Sequence, residues 1–96
     1  MEKCITLGAE LTLYQAASLH QQLLEASRDA ADLVLDLSRV SEMDCAAAQV
    51  LLWLLARQQG QQRTLRLSQP SQTVRSFIRL MGLGALQACL ESDDES

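Results

Sequence analysis

The chain has 96 residues, with 12 Asp and Glu against 8 Lys and Arg and a formal net charge of −4. An acidic balance without clustered cations argues against a phosphate-backbone ligand, so nucleic acid is not an expected partner. The longest uninterrupted apolar run, Val50 to Ala56, falls far short of the roughly 20 residues that span a bilayer, and no basic segment followed by an apolar one opens the chain; the expectation is a cytoplasmic protein with no direct membrane insertion.

Taken in order, Cys4 to Leu7 alternates weakly and is punctuated by Gly8 and Ala9, which predicts a strand, a turn and a short second strand near Glu10 to Thr12. From Leu13 to Ala26, the residues Ala16, Leu19, Leu23 and Ala26 recur at helical spacing with Gln15, Ser18, Gln22 and Glu25 between them, an amphipathic helix. Ser27 to Asp32 reads as a returning loop. Leu33 to Leu37 is apolar except for Asp36, as expected of a central strand covered on both faces. Ser38 to Met43 breaks both periodicities. Asp44 is then a good N-cap, placing Cys45 at the first position of a second helix. That helix carries a core stripe, Ala47, Val50, Leu51, Leu54 and Leu55, and a second stripe, Cys45, Gln49, Leu52, Trp53 and Ala56, along another side. Gly60 is a natural stop. Leu65 and Leu67 alternate with Thr64, Arg66 and Ser68 as a half-buried strand near a sheet edge. After Pro70, Ser71 caps a third helix with Val74, Phe77, Ile78 and Met81 on one stripe, ended by Gly82 and Gly84. Leu86 to Leu90 suits either a short strand or a turn of helix, and the four acids in 91–96 read as a solvated tail.

These segments resemble a known family. Leu33-Val34-Leu35-Asp36-Leu37-Ser38-Arg39-Val40-Ser41-Glu42-Met43-Asp44-Cys45-Ala46-Ala47-Ala48 resembles the core of a STAS domain, the sulfate transporter and anti-sigma factor antagonist module, in which a strand ending in Asp-Leu-Ser leads to an Asp-Ser or Asp-Thr pair opening a helix. Gly8-Ala9-Glu10-Leu11-Thr12, Gln69-Pro70-Ser71 and Met81-Gly82-Leu83 resemble the family's flanking segments in order and spacing. The resemblance implies an α/β fold: one STAS-like domain over 1–90, with about a four-stranded mixed sheet and helices packed on it, then the acidic tail 91–96. It further implies a non-enzymatic, bacterial signal-transduction module without a cofactor. The implied partner is an anti-sigma factor or related ATP-binding serine kinase. The ATPase subunit of a phospholipid-trafficking ABC transporter and a chemotaxis or other sensory pathway are the alternatives, and a homodimer is compatible with any of them. The phosphorylatable Ser or Thr of the family maps onto Cys45, which a serine kinase cannot modify, and the Gly usual two residues later is Ala47. Partner binding is expected at Ser41, Asp44, Cys45, Gln49, Leu52, Trp53 and Ala56.

The residues offer little else for chemistry. Cys45 at a helix start invites a nucleophilic or redox reading. Asp44 beside it opposes thiolate formation, and His20, the sole histidine, lies on the first helix beside Leu19. Cys4, Cys45 and Cys89 are odd in number and widely spaced, which suggests neither a disulfide framework nor a zinc site. Asp36 is expected to accept main-chain hydrogen bonds, because a polar group in an apolar strand must be paired.

Overall fold

A computed structural model describes residues 2–29 and 31–90; the acidic tail expected at 91–96 lies outside them. The chain runs β1 (Glu2–Thr6), β2 (Glu10–Leu11), α1 (Leu13–Asp29), β3 (Asp32–Asp36), β4 (Glu42–Met43), α2 (Cys45–Gly60), β5 (Leu65–Ser68), α3 (Gln72–Leu80) and α4 (Gly84–Gln87). The α/β class is as expected, but the sheet differs from a four-stranded mixed one. Five strands form two separate groups, a three-stranded sheet β1-β3-β5 and a two-stranded ribbon β2-β4, and every pairing among the described residues is parallel. The unforeseen strand is β4. Two residues are too few to show a period of two, and it is held by main-chain bonds instead, Ser41 and Glu42 N–H to Ala9 C=O at 2.7 and 3.1 Å and Asp44 N–H to Leu11 C=O at 3.0 Å.

The connections β1–α1–β3 and β3–α2–β5 step in the same direction across the sheet. Right-handed crossovers then place both helices on one face, and α1 and α2 do pack on each other there. Leu33 and Leu35 point into that layer with Ile5, Leu65 and Leu67, against Leu19, Leu23, Leu51 and Leu54. Val34 points the other way. It too is buried, but outside the core cluster: in register it lies between Cys4 and Arg66, and the Arg66 guanidinium reaches across to the Glu2 carboxylate at 2.7 Å. On this second face the Arg66–Glu2 pair spans the sheet from β5 to β1 across the register position of Val34.

Three boundaries moved for tertiary reasons. The segment expected as a loop from Ser27 is helical to Asp29, because Ala26 and Ser27 are buried and Ser27 is gripped from α2 and beyond: its hydroxyl accepts from Arg57 Nε at 2.9 Å and its carbonyl from Arg63 at 2.9 Å. Gly60 does not turn the chain; it is the last helical residue, and Gln62, φ 58°, takes the left-handed position two residues later. Met81, expected on the buried stripe of α3, is exposed just past the helix end, whereas Val74 and Ile78 are fully buried. Leu86 to Leu90 is both things the sequence allowed, with α4 followed by a bridge from Leu90 to Leu67.

Gln58, a polar residue in the last turns of α2, is fully buried. Its amide donates to the carbonyls of Ala31 at 3.0 Å and Thr64 at 2.9 Å, joining the approaches to β3 and β5 from beneath. Replacing it with Leu of similar bulk removes both of these bonds, while Thr64 C=O keeps the one from Leu33 N–H at 3.1 Å. Urea denaturation of Gln58→Leu should show a loss of about 1–3 kcal/mol.

Candidate functional site

The site begins with one carboxylate. Asp44, in extended conformation at the start of α2, accepts through Oδ1 from Ala46 N–H at 3.0 Å and Ala47 N–H at 3.2 Å, as an N-cap should. Through Oδ2 it also accepts from Leu13 N–H at 2.8 Å, the first residue of α1. Two helices that start 32 residues apart in sequence therefore begin side by side around a single side chain. Their positive ends favour the negative charge. The start of α1 is further held by Thr12 and Gln15 in a variant of the capping box: Gln15 Oε1 accepts from Thr12 N–H at 3.1 Å, the Thr12 hydroxyl accepts from Tyr14 N–H at 3.3 Å, and Gln15 N–H donates to Thr12 C=O at 3.0 Å.

The third helix starts nearby. Ser71 caps α3 by accepting from Val74 N–H at 3.3 Å while its hydroxyl donates to Val40 C=O at 2.6 Å, and the Thr73 hydroxyl reaches Ser41 C=O at 3.4 Å. The β2-β4 ribbon is thus ringed by the first turns of α1, α2 and α3. At the same carboxyl edge of the sheet, Asp36 accepts from Ser38 N–H at 2.9 Å, the structural role expected of it. That bond, with the Ser38 hydroxyl, holds its carboxyl below the ordinary carboxylate value. The tie is therefore intact at neutral pH and is lost as acidification carries the solution down through that depressed value.

The expected partner-binding residues divide into two groups. Cys45, Gln49 and Ala56 are exposed along one line of α2, and Leu52 lies half-buried within it. Trp53 is rotated toward α1: its ring packs against His20 with centroids 4.2 Å apart, and both rings are half-buried. It serves the α1–α2 contact first. Ser41 is exposed, with its hydroxyl donating to Ala9 C=O at 3.3 Å, and Asp44 is half-buried. His20 meets α2 at Trp53, eight residues or about 12 Å of helix from Cys45, so no Cys–His pair forms. The described residues hold no group of three or more His, Cys, Asp or Glu suited to a metal, and none of their helices is long and apolar enough to cross a membrane.

Two residues of this surface were not foreseen. Leu13 is 67% exposed and Tyr14 91% exposed, unusual for large apolar side chains, and both stand on the first turn of α1 beside Asp44. The signal was present in Thr12-Leu13-Tyr14-Gln15, since a capping box sets its two middle residues on the open first turn.

The result is a small parallel α/β domain with its helix starts gathered around one ribbon, beside which lies an open hollow lined by Glu10, Thr12, Tyr14, Gln15, Glu42, Met43 and Asp44. The comparisons place it. The Mlab STAS domain family profile matches residues 2–90, and the chain belongs to the STAS domain family. Among solved structures, the anti-sigma factor antagonist SpoIIAA in its unphosphorylated form shares the fold with a TM-score of 0.79 at 20% identity, over 98% of this chain and 81% of that one. The Bacillus cell fate determinant SpoIIAA in its phosphorylated form matches with a TM-score of 0.73 at 19% identity, over 98% and 84%. No curated protein matches by sequence.

The geometry of Asp44 separates its two duties. Asp44→Ala removes all three bonds and should cost about 2 kcal/mol in chemical denaturation. Asp44→Asn keeps the Ala46 and Ala47 bonds through its amide oxygen but turns an amine toward Leu13 N–H, and should cost about half as much.

Proposed function

We propose that this chain is a non-enzymatic regulatory module of the anti-sigma factor antagonist type, binding a protein partner through the first turns of α1 and α2. The observation that carries the reading is the exposed Cys45 at the head of α2, next to exposed Leu13 and Tyr14 across the Asp44 carboxylate. An apolar pair beside a polar helix start supplies both burial and register to an incoming surface. Gln49, Leu52 and Ala56 extend the contact down α2, and Ser41 and Asp44 form its edge. Trp53 contributes by fixing α2 against α1.

The partner class we take is an anti-sigma factor or related ATP-binding serine kinase, a reading supported by the likeness of the fold to the anti-sigma factor antagonist SpoIIAA. Cys45 sits where the family's phosphoacceptor is expected, and a thiol offers a serine kinase no hydroxyl. Binding is therefore not switched at this position; the nearest hydroxyl in the preceding segment is Ser41. Native protein should carry no phosphate on Cys45, and intact-mass and peptide analysis checks this. Phosphate on Ser41 in a defined signalling state would show that phosphoregulation is kept at a shifted position.

Affinity isolation from native cells with mass spectrometry identifies the partner, and variants then test the surface. Cys45→Asp places charge at the head of the contact and should weaken binding at least tenfold while circular dichroism and melting temperature hold. Tyr14→Ala, fully exposed before binding, should weaken it by about 2 kcal/mol if it is an anchor. Unchanged affinity in both would sink the reading. Recovery of a transporter ATPase or a sensory-pathway protein would move the assignment to that partner class.

A further inference from the structure

We infer that the outer edge of β1 is a docking edge for a second copy of this chain, the two β1 strands pairing antiparallel with Cys4 opposite Cys4 and joining the two three-stranded sheets into one.

The orientation of the main chain makes the edge available. β1 ends the order β1-β3-β5, and among the described residues no strand lies on its outer side. Leu7 N–H donates inward to Asp36 C=O at 3.0 Å, so along β1 the odd-numbered residues bond to β3. Glu2, Cys4 and Thr6 consequently direct their N–H and C=O groups outward. The opposite edge of the sheet is treated differently: there β5 is bridged by Leu90, with Leu67 N–H donating to Cys89 C=O at 2.9 Å. Nor does α1 close over β1, since an open groove of about 420 Å³ runs beside it, lined by Lys3, Ile5, Gln22, Glu25 and Asp29.

Charge and length select the register. A two-fold antiparallel pairing keeps each protomer's helix layer on the same face only if one residue of β1 meets itself. Centring on Glu2 or Lys3 sets like charges opposite each other, which is unfavourable. Centring on Ile5 carries Glu2 and Lys3 beyond the end of the other strand. Centring on Cys4 pairs all five residues, with Glu2 opposite Thr6 and Lys3 opposite Ile5, and lets every outward residue exchange both of its main-chain bonds. Lys3 of the second copy then lies over Ile5, where Glu25 lines the same groove. The Lys3 ammonium lies 4.0 Å from Asp29 of its own protomer, a loose and exposed pair, and Glu25, which accepts from the Gln21 amide at 2.8 Å and makes no ion pair among the described residues, offers it a second carboxylate across the junction. The edge lies on the sheet margin, apart from the starts of α1 and α2, and both surfaces can be used together.

The test uses the full chain. Sedimentation velocity at rising concentration should show a reversible monomer–dimer equilibrium. Glu25→Lys should weaken it several-fold, and adding Lys3→Glu should restore most of the loss, because the charge pair is reversed and not removed. Thr6→Pro deletes only an outward N–H and should leave a monomer. In a Cys45→Ser, Cys89→Ala background, where Cys4 is the sole thiol, bismaleimidoethane should crosslink the dimer, since facing residues of such a pair lie about 5.5 Å apart. A wild-type chain that stays monomeric at several hundred micromolar overturns the inference. So does a dimer that is indifferent to Glu25→Lys or is not crosslinked through Cys4, and the latter two readouts decide the matter even if Thr6→Pro fails to fold. A monomer that still binds its partner would leave the proposed function standing.

Discussion

The arrangement of this domain depends on how one carboxylate is shared. Asp44 is a single residue in the connection after β4, yet its two oxygens hold the first turns of α1 and α2, which also pack through Leu19, Leu23, Leu51 and Leu54 in the core and touch at His20–Trp53 and Ser27–Arg57. Fixing two helices at their starts and again near their ends leaves neither free to slide on the other. Leu13, Tyr14 and Cys45 are displayed in a defined relation because the half-buried carboxylate that orders them is bonded to both helix starts. A docking surface made of helix first turns would otherwise fray, since those turns have the fewest internal hydrogen bonds.

The layering beneath is asymmetric. One face of the sheet carries the leucine core under α1 and α2. The other is crossed by the Arg66–Glu2 pair at the register position of Val34 and exposed at Cys4 and Thr6. Such a pair between exposed groups adds little stability by itself. Its importance is geometric, because the pair ties the two outer strands across the central one.

Much of this could be read from the residues. The strand at Leu33 to Leu37, the Asp44 cap, the Ser71 cap and the core stripe of α2 rest on strong local rules, an apolar run, a capping side chain and a helical period, and the structure places them where those rules do. What escaped notice depends on contacts distant in sequence. β4 is too short to have a period. The extension of α1 through Ser27 needs Arg57 and Arg63, and the burial of Gln58 needs the carbonyls of Ala31 and Thr64. Trp53 shows the limit of a helical wheel: it shares a side with Cys45 and Gln49, but a rotation of under a quarter turn, together with a neighbouring helix, gives its ring to His20. Tyr14 shows the reverse, a large side chain outside both helical stripes that the start of α1 leaves exposed.

The all-parallel pairing has a consequence for how the chain reaches this state. Glu2 pairs with Asp32, Glu10 with Glu42 and Leu33 with Leu65, separations of 30 to 32 residues. No pairing of this kind can begin at a tight turn, so each must wait for a long loop to close, and that entropy is lost before the contacts return it. Helices α1 and α2, whose contacts are local, can form early and shorten those loops from within. During synthesis β1 is made before β3 and stays unpaired with it until the whole crossover has followed. The order of synthesis and the order of assembly are thus offset by one crossover, and the length of that crossover sets how long β1 waits for its partner strand.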